Sequence, residues 1–253
     1  MYVCMYVCMY VCMKVCMYIC MYVCIRGNRH FTRVFSSIWA VSLKIGAINT
    51  FIKDATGKTV FALQFLYDGV IKNNENGLFV SFEEEFDNLI GDAKVFHWDF
   101  EKLQQDGKCV FLSCKPLEEP NLQTKMQELI QKYKVKRVVI DSISIFSMMF
   151  KDDAYRIRKE FYKLARFLKD QDCTILLTAE ISGEAPLDIT SGGGSLSRDG
   201  IIEFIADSVI TLHNSGIGGA GDRAIRVLKM RRTAHTKGPL PMTITEKGME
   251  ILE

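Results

Sequence analysis

The spacing of hydrophobic residues changes character at about Lys53. From there on, short apolar runs alternate with stretches whose apolar residues recur every three or four positions. Phe61, Ala62, Phe65 and Leu66 form the face of a helix, with Gly69 near its end. Gly77 to Phe82 is a strand that stops at Glu83, Glu84 and Glu85, Asp87 to Phe96 is a helix, and Cys109 to Leu112 is a strand. Leu122, Met126, Leu129, Ile130 and Tyr133 share one helical face, and Arg137-Val138-Val139-Ile140-Asp141 is a buried strand closed by a carboxylate. A basic amphipathic helix from Asp153 to Lys169 precedes a strand from Cys173 to Thr178. A strand from Asp207 to Leu212 leads into a glycine-rich hairpin at Gly216 to Gly221 and a run from Val227 to His235, where alternation puts Lys229, Arg231 and Thr233 on one side. Strands alternating with helices predict an α/β fold, a mostly parallel sheet covered on both faces, with a ligand at the carboxyl ends of the strands.

Before Lys53 the pattern is of another kind. Residues 1–24 are six copies of a Met-Tyr-Val-Cys unit, disturbed only by Lys14 and Ile19. A four-residue period fits neither strand nor heptad, and the codons ATG-TAT-GTA-TGT are a repeated ATGT tetranucleotide, so the segment reads as a translated microsatellite, unstructured or artefactual. The rival reading is a membrane anchor, for which about 20 apolar residues suffice; a secretory signal lacks its basic n-region. Residues 25–52 form a degenerate segment without a clear period. Ile45 to Ile52 is the candidate strand leading into the turn at Lys53, and Asn49 fits it poorly. A wrong reading frame up to about Lys53 would account for both segments. Residues 53–253 are then the folded domain.

Composition narrows the class. Hydrophobic, aromatic and charged fractions of 48%, 11% and 25% belong to an ordinary globular protein. The net charge of +2 comes from interspersed acids and bases, so it calls for neither nucleic acid nor an anionic membrane. Of nine cysteines, six belong to the repeat; Cys109 and Cys173 sit in apolar strands as free thiols, no Cys/His spacing fits zinc, and the set suits a reducing cytoplasm.

The candidate chemistry lies where the domain begins. Gly57-Lys58-Thr59 opens an apolar helix, and such a turn surrounds a polyphosphate with backbone N–H groups, here those of Asp54, Ala55, Thr56, Gly57 and Val60. The Lys58 ammonium reaches the outer phosphates and the Thr59 hydroxyl holds Mg²⁺. The full motif has a glycine five positions before Gly57, where this chain has Ile52. Glu83, Glu84 and Asp141 each come at the end of an apolar strand and converge on the same sheet edge. Asp141 completes the Mg²⁺ shell with Thr59, and a glutamate orients or deprotonates the attacking water. Glu85 reads as a solvated turn residue, and the basic residues between Asp153 and Lys169 as an exposed helix face.

From Lys53 to the end the chain resembles the KaiC-like branch of the RecA-type ATPases. The resemblance rests on TGKTVFALQFL, FVSFEEEFDNL, the His97-Trp98-Asp99 turn, RVVIDSIS, FLKDQDCTILLTAE, LSRDGIIEFIADSVITL and VLKMRRTAH, in family order. It implies a RecA-like P-loop NTPase fold with a carboxyl-terminal antiparallel extension. Lys58 and Thr59 become the Walker A pair, Asp141 the Walker B aspartate, and Glu83 and Glu84 the catalytic pair. It further implies ATP and Mg²⁺ at the interfaces of a homo-hexamer, where Lys229, Arg231, Thr233 and His235 reach a neighbour's nucleotide and Arg198 lies near it, and a regulatory role toward an unidentified protein partner. Arg232 stands at a family glycine, which predicts a looser turn. Glu203 and Phe204 replace the phosphate-accepting Ser-Thr pair of the kinase half, so ATPase chemistry without autophosphorylation is expected. The alternatives are a RadA-like recombination ATPase, against which stand the absent helix-hairpin-helix domain and aromatic-rich basic loop, and a catalytically impaired nucleotide-binding module.

Ile52 yields a direct expectation. A β-branched residue resists the positive φ that glycine adopts freely, at a cost of roughly 1–2 kcal/mol. Ile52→Gly is therefore expected to tighten ATP binding about tenfold in a titration. Unchanged affinity would show that the loop tolerates isoleucine or that the site is already lost.

Overall fold

The structure, a computed structural model, describes residues 21–25, 45–46, 48–50, 57–114, 122–144, 153–180, 206–216, 222–236 and 238–252. The elements in chain order are β1 (Met21–Ile25), β2 (Ile45–Gly46), β3 (Ile48–Thr50), α1 (Lys58–Asn73), β4 (Gly77–Ser81), α2 (Phe86–Val95), α3 (Phe100–Gln105) and β5 (Cys109–Ser113). They continue with α4 (Leu122–Tyr133), β6 (Arg137–Asp141), α5 (Ala154–Asp170), β7 (Thr174–Thr178), β8 (Ser208–Asn214), β9 (Arg223–Met230), β10 (Leu240–Thr245) and β11 (Gly248–Ile251).

Period-two alternation decides the layering. In β4, β6 and β7 the residues Leu78, Val80, Val138, Ile140, Ile175 and Leu177 join one core with Met126 and Ile130 of α4 and Phe161, Leu164 and Leu168 of α5. The intervening Phe79, Val139 and Leu176 join a second core with α1, α2 and α3, including Phe61, Leu63, Leu66, Leu89 and Phe100. Both faces of these strands are therefore buried, as their near-continuous apolar sequences require. β5, β4, β6 and β7 run parallel, in that order. β3 runs parallel to both β7 and β8, and β1 pairs with the same two strands antiparallel. β8, β9, β10 and β11 form the antiparallel extension. The fold is thus the expected RecA-like α/β arrangement.

Several details differ from the sequence reading. α1 does not stop at Gly69 but runs to Asn73 and ends on Asn74 in the left-handed region, φ 53°. Gly69 has another task. A Cβ there would lie 2.4 Å from Cδ of Arg137, whose buried guanidinium passes over the helix and donates to Glu75 at 2.7 Å and to the Phe65 carbonyl at 2.9 Å. Within the stretch Ile45 to Ile52 the described residues form β2 and β3. Met21–Cys24, the tail of the repeat, belong to β1; residues 1–20 lie outside the described residues. α3 begins after the His97-Trp98-Asp99 turn and is capped by Asp99, which accepts from the Lys102 N–H at 2.9 Å. Neither α3 nor the β10–β11 hairpin was expected from the pattern.

Cys109 and Cys173 are buried free thiols, Cys114 is buried too, and burial pushes Cys173 up to about 11. Among the described residues no helix is long and apolar enough to cross a membrane.

Candidate active site at the strand ends

Gly57 adopts φ 96° and precedes α1, whose start has no side-chain cap among the described residues. The first intrahelical bond runs from the Phe61 N–H to the Gly57 carbonyl at 2.8 Å, so the N–H groups of Lys58, Thr59 and Val60 have no carbonyl of their own helix to meet. The positive end of a 16-residue helix therefore opens at this point.

Strand register delivers the carboxylates. β4 and β6 pair with Ser81 opposite Asp141, so the segments beyond them leave the sheet side by side. Lys58 Nζ lies 3.7 Å from Asp141 Oδ1 and 3.7 Å from Glu83 Oε2. The Thr59 hydroxyl donates to Asp141 Oδ2 at 3.3 Å. Thr178, the last residue of β7, donates its hydroxyl to the other Asp141 oxygen, Oδ1. The Ser142 hydroxyl donates to Glu83 Oε1 at 2.7 Å. The Ser81 hydroxyl donates to the Glu84 carbonyl at 2.6 Å and accepts its N–H at 2.9 Å, pinning the backbone of Glu84 while leaving its carboxylate outside that clamp. Glu85 is exposed beside the start of α2 and accepts a long bond of 3.4 Å from Ser113, in keeping with a solvated turn.

The electrostatics are unbalanced toward negative charge. Burial alone would lower the Lys58 ammonium, but Asp141, Glu83, Glu180 and Glu84 outweigh it and hold the group above its ordinary value, firmly charged. Burial pushes the Asp141 carboxyl up against the opposing pull of Lys58 and the Thr178 and Thr59 hydroxyls. Glu84 is raised chiefly by burial, then by Asp141 and Asp92. One ammonium thus faces four carboxylates, with a hydroxyl and a carboxylate oxygen adjacent on Thr59 and Asp141. This hard-oxygen donor pair in a field of excess negative charge fits a divalent cation such as Mg²⁺.

Other predicted residues fall elsewhere. Asp54, Ala55, Thr56, Ile52, Arg198, Glu203 and Phe204 lie outside the described residues. Val60 is half-buried and packs on the core beneath α1. Lys229, Arg231, Thr233 and His235 are not brought to Lys58. β3, which leads toward the phosphate loop, is parallel to β8 with Ile48 opposite Ser208, and β9 returns antiparallel with Met230 opposite Ser208. The end of β9 that bears Arg231 is therefore at the sheet edge opposite this chain's own loop. There Arg231 donates to Asp207 at 3.0 Å and Lys229 to the Ala206 carbonyl at 2.8 Å. The expected alternation of Lys229, Arg231 and Thr233 also ends early, because β9 stops at Met230 and gives way to a turn. In that turn Arg232 takes φ 60°, the conformation a glycine would supply, so the turn is kept tight despite the substitution.

Thr178 and Ser142 were missed in the sequence. Thr178 had a signal, a hydroxyl closing the apolar strand beside the one that ends in Asp141; Ser142 carried none beyond its position after that aspartate.

Comparison with known proteins agrees with this geometry. Residues 53–253 match the family model described as ATPase: KaiC. Among curated relatives, the circadian clock oscillator protein KaiC of Parathermosynechococcus lividus is 37% identical over 206 residues, 78% of this chain and 36% of the relative. The proteins of the same name from Synechococcus elongatus and Acaryochloris marina are 36% and 35% identical, again over 78% of this chain and 38% of theirs. The chain spans little more than a third of the length of these relatives. With a helix N-terminus, a lysine and strand-end carboxylates gathered as a phosphate loop requires, the chain belongs to the KaiC family of RecA-type P-loop ATPases.

Proposed function

We propose that the chain binds ATP with Mg²⁺ and hydrolyses it at the edge formed by Gly57, Lys58, Thr59, Glu83, Glu84 and Asp141. The observation that carries the reading is the convergence of Lys58 on two strand-end carboxylates, each at 3.7 Å, beside the open N-terminus of α1. The uncapped N–H groups and Lys58 bind the phosphates. Thr59 and Asp141 are the residues that hold Mg²⁺, whose chemistry when bound is to neutralise charge on the phosphate oxygens. Thr178 orients the Asp141 carboxylate, and Ser142 with Lys58 orients Glu83. Glu84 is the group that takes the proton of the attacking water: burial raises its affinity for a proton, which suits a general base.

Assembly belongs to the same proposal. Arg231 lies across the sheet from its own loop, so its place is at the nucleotide of an adjacent copy in a ring, with Lys229, Thr233 and His235 as neighbours and Arg198 near the nucleotide. The ring is a homo-hexamer, hydrolysis changes how its subunits pack, and a regulatory protein partner reads that change.

The deciding experiment is Lys58→Ala. Nucleotide binding is expected to fall below detection in a titration with a fluorescent ATP analogue and Mg²⁺. The loss removes the phosphate-binding ammonium and also strips the buried Asp141 carboxylate of its cation. Wild-type affinity in this variant would end the proposal.

A further inference from the structure

The β10–β11 hairpin is held against α1 and Gly57 by contacts that the hydrolytic reading leaves unused. Gln64, two turns into α1 from Lys58, is buried, yet its side-chain amide reaches the backbone of a residue far along the chain. Its Oε1 accepts the Met249 N–H at 2.7 Å and its Nε2 donates to the Met249 carbonyl at 3.2 Å. The amide thus stands in for a neighbouring strand beside β11. Gly248 makes room for it: with φ 111°, a Cβ there would meet Trp98 at 2.6 Å and Gln64 Oε1 at 2.7 Å. At the helix start, a Cβ on Gly57 would meet Ile244 Cδ1 at 2.8 Å and Met249 Cε at 3.0 Å, so these two side chains of β10 and β11 back the left-handed residue that aims the loop.

We infer that the β10–β11 hairpin positions the phosphate loop, with Gln64 as the latch and Ile244 and Met249 as the wedge behind Gly57. The inference rests on the proposed nucleotide site and adds its positioning residues. Gln64 shares one rigid helix with Lys58 and Thr59, while the hairpin it holds touches Gly57, so latch and wedge close a circuit around the first turn. Placement errors near 1 Å cost about 10²-fold in catalysis, so a backing held by hydrogen bonds has functional weight. β10 also pairs with β9, with Leu240 opposite Ile225, which joins the backing to the strand leading to Arg231.

The test uses the full chain with Gln64→Leu, Gln64→Glu and Ile244→Ala, and Ile130→Val on α4 as a control for lost stability away from the site. Well below the unfolding midpoint, Gln64→Leu and Ile244→Ala are expected to weaken binding of a fluorescent ATP analogue with Mg²⁺ and to lower kcat, together by about tenfold or more. Gln64→Glu, whose buried carboxyl accepts the Met249 N–H but can donate to the Met249 carbonyl only while it holds a proton, should retain more activity than Gln64→Leu at acidic pH and lose that advantage as the pH rises. Ile130→Val should lower the midpoint and leave both constants unchanged. If Gln64→Leu does not fold, Ile244→Ala decides. Wild-type binding and kcat in the folded hairpin variants, while Lys58→Ala fails to bind, would overturn the inference and leave the nucleotide site standing. Normal binding by Lys58→Ala would remove both.

Discussion

Glu84→Gln is expected to bind ATP as tightly as the unaltered chain and to lose 10²–10⁴-fold in turnover, roughly the contribution of a positioned general base. The two glutamates differ in what holds them. Glu83 is engaged by the Lys58 ammonium at 3.7 Å and by the Ser142 hydroxyl at 2.7 Å, which suits it to fixing Lys58 rather than to accepting a proton. Glu84 has its backbone fixed by Ser81, and its carboxyl is raised by burial. Removing the charge keeps the shape of the site and takes away only the base. The same shift sets the pH profile: a raised carboxyl gains its proton at a higher pH than an ordinary glutamate, so kcat should fall on acidification earlier than an exposed glutamate would dictate. Unchanged turnover in Glu84→Gln, measured by phosphate release at saturating ATP, would pass the role to Glu83 or end it.

Arg231→Ala is expected to be almost inactive by itself and to regain activity when mixed with Glu84→Gln chains. Cations supplied from a neighbouring subunit contribute about 10³–10⁵-fold to phosphoryl transfer in other enzymes. The expectation rests on the strand register, which puts Arg231 at the edge of the sheet opposite its own loop, where it pairs with Asp207. In a ring built by random mixing of equal amounts, about a quarter of the interfaces join an intact Glu84 to an intact Arg231. Activity should approach that fraction once subunits exchange. A monomeric fraction with full turnover on sizing would contradict the arrangement, as would mixtures no better than either variant alone.

The sequence placed Lys58, Thr59, Glu83, Glu84 and Asp141 together because each marks an event visible along the chain: the start of an apolar helix, or the end of an apolar strand. In a parallel sheet such ends share one edge, so period and punctuation sufficed. Residues acting through a partner distant in sequence were not visible. Gln64 reads as one more polar position in a helix until Met249 is brought to it, 185 positions away. Gly69 reads as a helix stop until Arg137 is seen crossing it. The chain beyond Met230 continues the alternation of a strand until the turn at Arg232 breaks it.

What the sequence alone determined, then, is the order of strands and helices from α1 to β9 apart from α3, the burial of β4, β6 and β7 on both faces, and the edge where the chemistry gathers, since all three depend on local hydrophobic period. The tertiary structure decided which hydroxyls hold Asp141 and Glu83, which edge Arg231 occupies, and what stands behind Gly57. Those outcomes depend on register between strands far apart in the chain and on side chains meeting at hydrogen-bond distance, and no local pattern records either.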